Sequence, residues 1–361
     1  MKGLQKVFWF FYQCLAVYTV VVFALVYWTP SSNWFLGFLM MSFPVVVVLN
    51  LFSILFWMSI KPVKVLIPII LCLSALVFLP RTYPFNKGDE NDGKVKTKTD
   101  FNLMSYNVSS FSTEVNEKGK AAAVLDMKNW IVDQRADILC FPEYVNNDGS
   151  KIYNTANYFE KQGYTYQRLY VTNKFQHSDY NGMAILSKYP IVFAKDTIFA
   201  ARNGLILADI KIGKDTVRII SVHLYSMTLK LYTLLGQKEI KGIERESRNT
   251  LSLLKTGFIQ RAREWETLRE WVESSPFPTI VCGDFNETPY SYVYGKARKL
   301  LTSSFEEKGS GFGYSYNHLP YFIRIDHQFY DKSKLNLVHF KTDRSVMFSD
   351  HYPLIGGYTF K

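Results

Sequence analysis

Three long runs of apolar residues dominate the first eighty positions of the chain, and the first two carry no charge. They lie at 7–28, at 34–58 and at about 62–80. An α-helix rises about 1.5 Å per residue, so the first two runs are long enough to cross a hydrocarbon core roughly 30 Å thick. We predict three transmembrane helices. The alternatives are a cleaved signal peptide for the first run and a buried or re-entrant helix for the third, which contains Pro68.

Lysines in the short segments around these runs predict their orientation. Lys2 and Lys6 precede the first run, and Lys61 and Lys64 separate the second from the third, whereas residues 29–33 carry no charge. Because lysine and arginine accumulate on the cytoplasmic side of membrane proteins, the N-terminus is expected there. Three spans then put the rest of the chain on the extracytoplasmic or periplasmic side of an inner or plasma membrane.

The polar part of the chain begins with a linker at 81–100 and continues as one unit at 101–361. Two segments with helical periodicity, 120–134 and 253–274, are the predicted helices of this unit. The predicted strands are the short apolar runs at 101–106, 138–141, 182–186, 205–210, 217–223, 279–282 and 323–329. Many strands with few helices indicate a layered α/β domain built on sheets.

Charge and cysteine content exclude several classes of protein. The formal charge is +11, of which residues 1–87 supply six positive charges and no negative one, leaving 36 basic and 31 acidic residues for the remainder. The remainder of the chain thus has a net charge of +5, which is less than a dedicated DNA-binding protein usually shows. The four cysteines are far apart, which excludes a disulfide scaffold and a zinc site built on thiolates. A disulfide between Cys140 and Cys282 is left open.

Polar or ionisable residues follow the ends of several predicted strands, and ligand sites form where strands end together. The motifs are Ser-Tyr-Asn-Val at 105–108, Phe-Pro-Glu at 141–143, Ser-Val-His-Leu at 221–224, Gly-Asp-Phe-Asn at 283–286, Arg-Ile-Asp-His at 324–327 and Ser-Asp-His at 349–351. Carboxylates and carboxamides without thiolates suit a hard cation such as Mg²⁺, which stabilises charge during displacement at phosphorus. Each motif alone is explained by a turn, an ion pair or a core histidine; together they indicate a catalytic site.

With these motifs, and with Asn-Gly-Met-Ala-Ile-Leu-Ser at 181–187, the segment 101–361 resembles the endonuclease/exonuclease/phosphatase superfamily, which has the deoxyribonuclease-I-like fold. The chain looks like a membrane-anchored, bacterial-type member. The resemblance implies a four-layer α/β sandwich, in which two packed mixed sheets are flanked by helices. It also implies that water hydrolyses a phosphoester with the help of Mg²⁺ or Mn²⁺.

The resemblance also implies roles for individual residues. Glu143 is the implied principal metal ligand, with Asn107 beside it and Asp350 as a further carboxylate of the metal site. Asp284 resembles the residue that activates or orients the attacking water. Asn286 resembles the residue that positions the water or the phosphate.

Two histidines and their neighbours complete the implied site. His223 resembles the histidine that contacts the scissile phosphate and protonates the leaving oxygen, and His351 resembles a second one, which Asp326 would orient. Asn181 is implied to help bind the phosphate or the substrate. Pro142 stands where the family commonly has glutamine. This departure changes the local backbone but removes no reacting group, so an active enzyme is expected.

Fold and metal site do not name the substrate. Because a tethered phosphodiesterase or phosphatase meets phospholipid head groups and small phosphoesters at the bilayer, one of these is the expected substrate. The alternatives are a membrane-bound endonuclease or exonuclease acting on DNA or RNA, and a non-catalytic binding module on the same fold. The basic segment 225–256 and the tyrosine-rich segment 164–180 are candidate substrate contacts, although a solvated amphipathic segment for the first and aromatic packing for the second are the favoured interpretations. No protein partner is predicted.

Overall fold

The structure is a computed structural model and describes residues 2–86, 98–112, 117–171, 179–200, 202–227, 240–318 and 322–361. Most of the predicted linker, at 87–97, lies outside these residues. So do 228–239 of the basic segment and 172–178 of the tyrosine-rich segment.

The apolar N-terminal part forms helices α1 (Lys2–Trp28), α2 (Trp34–Met41), α3 (Phe43–Ile60), α4 (Leu66–Ala75) and α5 (Leu79–Thr82). Short 3₁₀ turns join α3 to α4 and α4 to α5. Three stretches are long and apolar enough to cross a membrane, namely Gly3–Trp28, Phe43–Ile60 and Pro62–Thr82.

The run at 34–58, predicted as a single span, is instead two helices that meet at Ser42. The residue after Phe43 is Pro44, which lies in the first turn of α3. Proline has no backbone N–H and is tolerated at the start of a helix but not in its interior. The second apolar stretch is therefore the shorter Phe43–Ile60, and α2 is a separate short helix before it.

The remainder of the described structure is built on two six-stranded sheets. The strands are β1 (Phe101–Ser105), β2 (Ile138–Asn147), β3 (Tyr166–Val171), β4 (Asp179–Ser187), β5 (Ile191–Ala200), β6 (Asn203–Ile212), β7 (Asp215–His223), β8 (Thr279–Asp284), β9 (Thr302–Ser303), β10 (Asp326–Tyr330), β11 (Leu335–Thr342) and β12 (Leu354–Phe360). Their order is β11-β12-β1-β2-β4-β3 in one sheet and β5-β6-β7-β8-β10-β9 in the other. Each sheet contains one parallel pair, β1 with β2 and β7 with β8, so both sheets are mixed.

Helices cover the outer faces of both sheets. They are α6 (Glu117–Asp133), α7 (Thr155–Lys161), α8 (Ile240–Glu273) and α9 (Tyr292–Leu300), whereas the short α10 (Ser304–Lys308) contributes Phe305 to the core between the sheets. Side chains of α6 and α7 share a core with the first sheet, and side chains of α8 and α9 share one with the second. A third core, which includes Cys140 and Cys282 as free thiols, fills the space between the sheets. The predicted four-layer sandwich is confirmed.

Sequence periodicity missed five strands, and four of them, β3, β5, β9 and β11, are sheet edges. An edge strand buries less of its surface, so its apolar pattern is weaker; in β5, for example, Phe193 and Ile198 are exposed. Helix α8 also begins earlier than predicted, at Ile240 instead of 253. Its first turns are polar and include an ion pair between Glu244 and Arg248, four residues apart, rather than an apolar stripe.

The N-terminal helices pack directly on the sandwich. The ring of Tyr290, just before α9, stacks on Phe43 at 4.3 Å, and its hydroxyl lies 2.8 Å from that of Thr82. Lys299 in α9 donates to the carbonyl of Trp28 at 2.6 Å. The sandwich therefore rests on the end of the helical bundle at which α1 and α5 terminate.

Replacing Tyr290 tests this junction. Tyr290→Ala removes a buried ring, which typically costs about 3–5 kcal/mol in a packed core, whereas Tyr290→Phe loses only the hydroxyl contact with Thr82, worth about 1 kcal/mol. We expect a clearly lower thermal unfolding midpoint for Tyr290→Ala and a nearly unchanged one for Tyr290→Phe, both measured on the full chain in detergent micelles. Equal midpoints for the two variants would contradict a structural role for the ring.

Candidate active site

The ends of strands from both sheets meet at one edge of the sandwich. Since β7 and β8 are parallel and in register, His223 pairs with Asp284 at their shared carboxyl ends. Strand β10 runs the other way and begins at Asp326, opposite Asp284. In the first sheet, Asn107 follows β1, and Glu143 lies within β2, the strand parallel to β1.

The carboxylate of Asp284 lies at the centre of this group, and its residue is only 2% exposed. Oδ2 accepts from Nδ2 of Asn107 at 3.2 Å and lies 3.8 Å from Nε2 of both His223 and His351. Oδ1 accepts from the backbone N–H of Asn286 at 2.8 Å. Burial and the neighbouring carboxylate of Asp326 raise the pKa of Asp284 to about 6, although the two imidazoles oppose this.

A β-bulge directs Glu143 toward the same centre. Pairing of β2 with β4 shifts register between Pro142 and Tyr144, and Glu143 between them has a positive φ of 52°. Its Oε1 accepts from Nδ2 of Asn107 at 3.2 Å and lies 3.7 Å from Nε2 of His223. A left-handed backbone at a non-glycine residue costs of order 1–3 kcal/mol and is common at functional sites. The irregularity turns the carboxylate out of the sheet and into the site.

The imidazole of His223 is held with one nitrogen facing the carboxylates. Because the carbonyl of Arg202 can only accept, Nδ1 donates to it at 3.0 Å and Nε2 faces Glu143 and Asp284. Nε2 is buried and has no hydrogen-bond partner among the residues that the structure describes. A buried polar atom without a partner is unusual and marks a place where a ligand would complete the site.

The second imidazole forms a buried pair with Asp326. Nδ1 of His351 donates to Oδ2 of Asp326 at 2.7 Å, which leaves Nε2 facing Asp284. Burial alone would lower the pKa of His351, but the carboxylates of Asp326 and Asp284 outweigh it and raise that pKa to about 10. His351 is therefore positively charged at neutral pH.

The donors fit a divalent metal ion. Asp284, Asp326 and His351 offer ligand atoms that all lie within 4.8 Å of one another. The carboxylate of Glu143 and the amide of Asn107 lie on the other side of Asp284. Oxygen donors without thiolates suit a hard cation, whereas the charged His351 has no free lone pair for a metal ion and would donate to an anionic ligand instead.

The structure brings the side chains of six predicted site residues together, whereas the side chains of Asn286 and Asp350 have other partners. Asn286 donates through Nδ2 to the carbonyl of Leu224 at 3.0 Å and so shapes the turn after β8. The Asp350 carboxylate accepts from Ser349 at 3.2 Å and lines a separate surface cavity with Asn317. The backbone of Asn181 lies in β4, and its side chain is outside the described residues.

Sequence motifs missed residues that support the site from other segments. Arg202 lies 3.4 Å from Oε2 of Glu143, and Ser349 donates to the carbonyl of Asn107 at 2.7 Å. The buried pair of Arg261 in α8 and Glu287, 2.7 Å apart, holds the turn after β8. Arg202 and Arg261 belong to no recognisable spacing pattern, whereas Ser349 is the first residue of the Ser-Asp-His motif and Glu287 directly follows Gly-Asp-Phe-Asn.

Two packed mixed sheets with a cluster of acids, amides and imidazoles at one edge define a phosphoester hydrolase of the deoxyribonuclease-I-like class. Residues 104–351 match the model of the Endonuclease/Exonuclease/phosphatase family. The chain belongs to that family, whose members are phosphoester hydrolases that generally use divalent metal ions. Residues 5–82 match a second model, described as a domain of unknown function (DUF8431).

Solved structures share the fold at low sequence identity. The human Nocturnin catalytic domain with bound sulfate anion is 15% identical, with a TM-score of 0.50 over 72% of this chain and 94% of that one. An endonuclease/exonuclease/phosphatase from Beutenbergia cavernae DSM 12333 is 14% identical, with a TM-score of 0.51 over 73% and 72%. The comparison with curated proteins gives no match. These likenesses show the fold alone.

One buried carboxyl behind the site has an unusual pKa. Glu264 in α8 accepts from the backbone N–H of Tyr225, two residues after His223, at 2.8 Å. Burial raises the pKa of Glu264 from 4.5 to about 7, and Tyr225 and Arg261 offset only part of this. The folded protein binds this proton more tightly than the unfolded chain, so stability falls as pH rises through this interval.

Glu264→Gln keeps an acceptor for the Tyr225 N–H but cannot ionise. We expect the variant to gain thermal stability relative to wild type as pH is raised from about 5 to about 8, because only the wild type must bury a charge at the higher pH. Unfolding midpoints of the two full-length proteins at both pH values measure the effect. A difference between them that does not change with pH would contradict the raised pKa.

Proposed function

We propose that this protein is a membrane-anchored, Mg²⁺-dependent phosphoesterase in which an activated water attacks the phosphorus atom. The observation that carries the proposal is the cluster in which the half-buried Glu143 lies beside the buried Asp284 and Asp326 and two imidazoles. Buried carboxylates need a cation, and buried imidazole nitrogens offer contacts to an anion. A divalent ion and a phosphate group together meet both needs.

Glu143 and Asn107 would hold the metal ion, because their oxygen atoms suit Mg²⁺ or Mn²⁺. When bound, the ion supplies charge stabilisation for a pentacoordinate phosphorus and for the leaving oxygen. Arg202, 3.4 Å from Glu143, adds a positive charge at the exposed side of the carboxylate. Asp350 stays a predicted member of the metal site.

Asp284 is the proposed base. The Asn286 N–H holds its Oδ1, so Oδ2 is the atom that would accept a proton from water. A pKa of about 6 keeps this carboxylate ionised but basic at neutral pH. Asn286 thus acts by orienting the base.

The two histidines would act on the phosphate from the other side. His351 is charged and fixed by Asp326, so its Nε2–H would donate to a phosphoryl oxygen. The Nε2 atom of His223, which has no partner, would contact the phosphate and, when protonated, donate its proton to the leaving oxygen.

Hydrolysis by the full chain in detergent micelles, with Mg²⁺ or with EDTA, tests the chemistry. The substrates would be a generic phosphodiester, a phosphomonoester, sphingomyelin and other phospholipids, and plasmid DNA. We expect metal-dependent turnover that Asp284→Asn lowers by roughly 10²-fold or more. The matched control Asp126→Asn, at an exposed position of α6, should retain full activity.

The preferred substrate separates the alternatives. The membrane anchor favours a phospholipid or small phosphoester, and selective nicking of plasmid DNA would establish the nuclease instead. Turnover that survives EDTA, or that Asp284→Asn leaves unchanged, would refute the mechanism. A wild-type protein inert toward every substrate class would favour the non-catalytic binding module.

We further propose that the sandwich lies on the extracytoplasmic side. Lys64 lies 4.2 Å from the ring of Trp9, so the basic loop and the N-terminus share one end of the bundle. The sandwich packs against the other end, through Trp28 and Thr82. The positive-inside rule assigns the lysine-bearing end to the cytoplasm.

A topology reporter fused after Lys361 tests this orientation. Alkaline phosphatase, which folds only outside the cytoplasm, should be active there, and a fluorescent protein that matures only in the cytoplasm should stay dark. The same reporters fused after Lys61 should give the opposite pattern and serve as the control. Cytoplasmic activity at Lys361 would refute the orientation.

A further inference from the structure

Five aromatic residues form a continuous surface where the chain leaves the helical bundle. We call Tyr83, Phe85, Phe312, Tyr314 and Phe322 the aromatic patch. The ring of Tyr83 lies 5.1 Å from Phe85 and 4.9 Å from Phe312, the ring of Phe312 lies 5.2 Å from Tyr314, and Tyr314 lies 5.6 Å from Phe322. The three phenylalanines are unusually exposed, at 76%, 47% and 74% for Phe85, Phe312 and Phe322.

The aromatic patch is fixed to the end of the third apolar stretch. Tyr83 directly follows Thr82, the last residue of that stretch. The N–H of Gly311 donates to the carbonyl of Pro84 at 3.2 Å, and Asn86 donates to the carbonyl of Gly309 at 3.0 Å. The segment around Phe312 therefore cannot move away from the point where the chain leaves the bundle.

This position corresponds to the headgroup layer of a bilayer, which is about 5–8 Å thick on each side of the hydrocarbon core. The ring of Phe312 lies within that distance of Tyr83. Tyrosine and tryptophan concentrate in this layer, where both an apolar ring and a polar group are satisfied, and phenylalanine is common on the apolar face of segments that lie in it. Water would leave the three phenylalanine rings exposed, whereas lipid would cover them.

We propose that the aromatic patch is embedded in the headgroup layer of the same bilayer that holds the apolar helices. The sandwich would then lie against the membrane in one orientation. This inference rests on the proposed membrane anchoring and is independent of the proposed chemistry.

The same segment reaches the active site. Ser315 follows Tyr314, and its hydroxyl accepts from the N–H of Asp326 at 3.0 Å. The ring of Tyr316 lies 5.0 Å from that of His351. Embedding the aromatic patch would therefore hold this wall of the catalytic site close to the lipid headgroups.

A matched control residue lies on the opposite edge of the second sheet. Phe193 in β5 is 51% exposed, close to the value for Phe312. Five strand spacings separate β5 from β9, or roughly 24 Å. Strand β9 lies between α9 and α10 and is the sheet edge nearer to the helical bundle. Strand β5, at the other edge of the same sheet, is therefore the edge farther from the bundle.

Spin labels measured by electron paramagnetic resonance test the proposal in the full chain in phosphatidylethanolamine–phosphatidylglycerol nanodiscs. Cys14→Ser and Cys72→Ser remove the two cysteines outside the sandwich, and Cys140 and Cys282 are fully buried. Labels are attached to Phe312→Cys, Phe322→Cys or Phe193→Cys in this background. A label on the exposed native Cys14, in a Cys72→Ser variant, reports on α1.

We expect the ratio of oxygen collisions to collisions with a water-soluble nickel chelate to be several-fold higher at 312 and 322 than at 193. Because Phe322 is mostly exposed, replacing it should not disturb the fold. The label at 322 therefore gives an independent result if the Phe312→Cys variant misfolds. If labels at 312 and 322 are as accessible to the nickel chelate as the label at 193, while the Cys14 label is in lipid, the aromatic-patch proposal is overturned. The membrane anchoring would then still stand.

Two other outcomes would also overturn the proposal. A Cys14 label accessible to the nickel chelate would refute the membrane anchoring on which it rests. Labels at 312 and 322 shielded from both reagents, with broadening between labels, would assign the aromatic patch to contact with a second copy of the chain.

Discussion

The catalytic edge of this molecule is organised around one buried carboxylate. Asp284 is removed from water, and a charge in such a place is costly unless polar groups surround it. Four polar groups from four different segments surround this carboxylate, namely the Asn107 amide, the Asn286 N–H and the imidazoles of His223 and His351. Both sheets must therefore end at the same edge, and their parallel pairs make that possible.

The same constraint explains the local irregularities. Glu143 and Asn286 both have positive φ angles, and Gly283, the second-last residue of β8, has a φ of 136°. A Cβ at Gly283 would collide with the backbone of Val222 in the neighbouring strand. Regular strands would direct these side chains into the core or away from the site, so the backbone departs from regularity where the chemistry is located.

The sequence predicted the fold and the family because their signals are local or strongly periodic. Apolar runs gave the central strands and the N-terminal helices, and the motif order gave the resemblance that the family match confirms. It could not give the edge strands, whose apolar pattern is weak, or the break at Ser42. It also could not give contacts such as Arg202 with Glu143, since these depend on how distant segments pack. The roles of the site residues stay predictions.

Tyr290 lies six residues beyond Asp284, in the segment that leads from the catalytic strand to the helical bundle. Nearby, Gly295 packs so closely on Thr29 that even a methyl group would collide. Proteolytic shedding of the sandwich would uncover both contacts and leave a bare aromatic surface beside the catalytic turn. A shed fragment would thus be prone to aggregation and would have lost one support of its active centre, so retention of the anchor is part of how this fold stays intact.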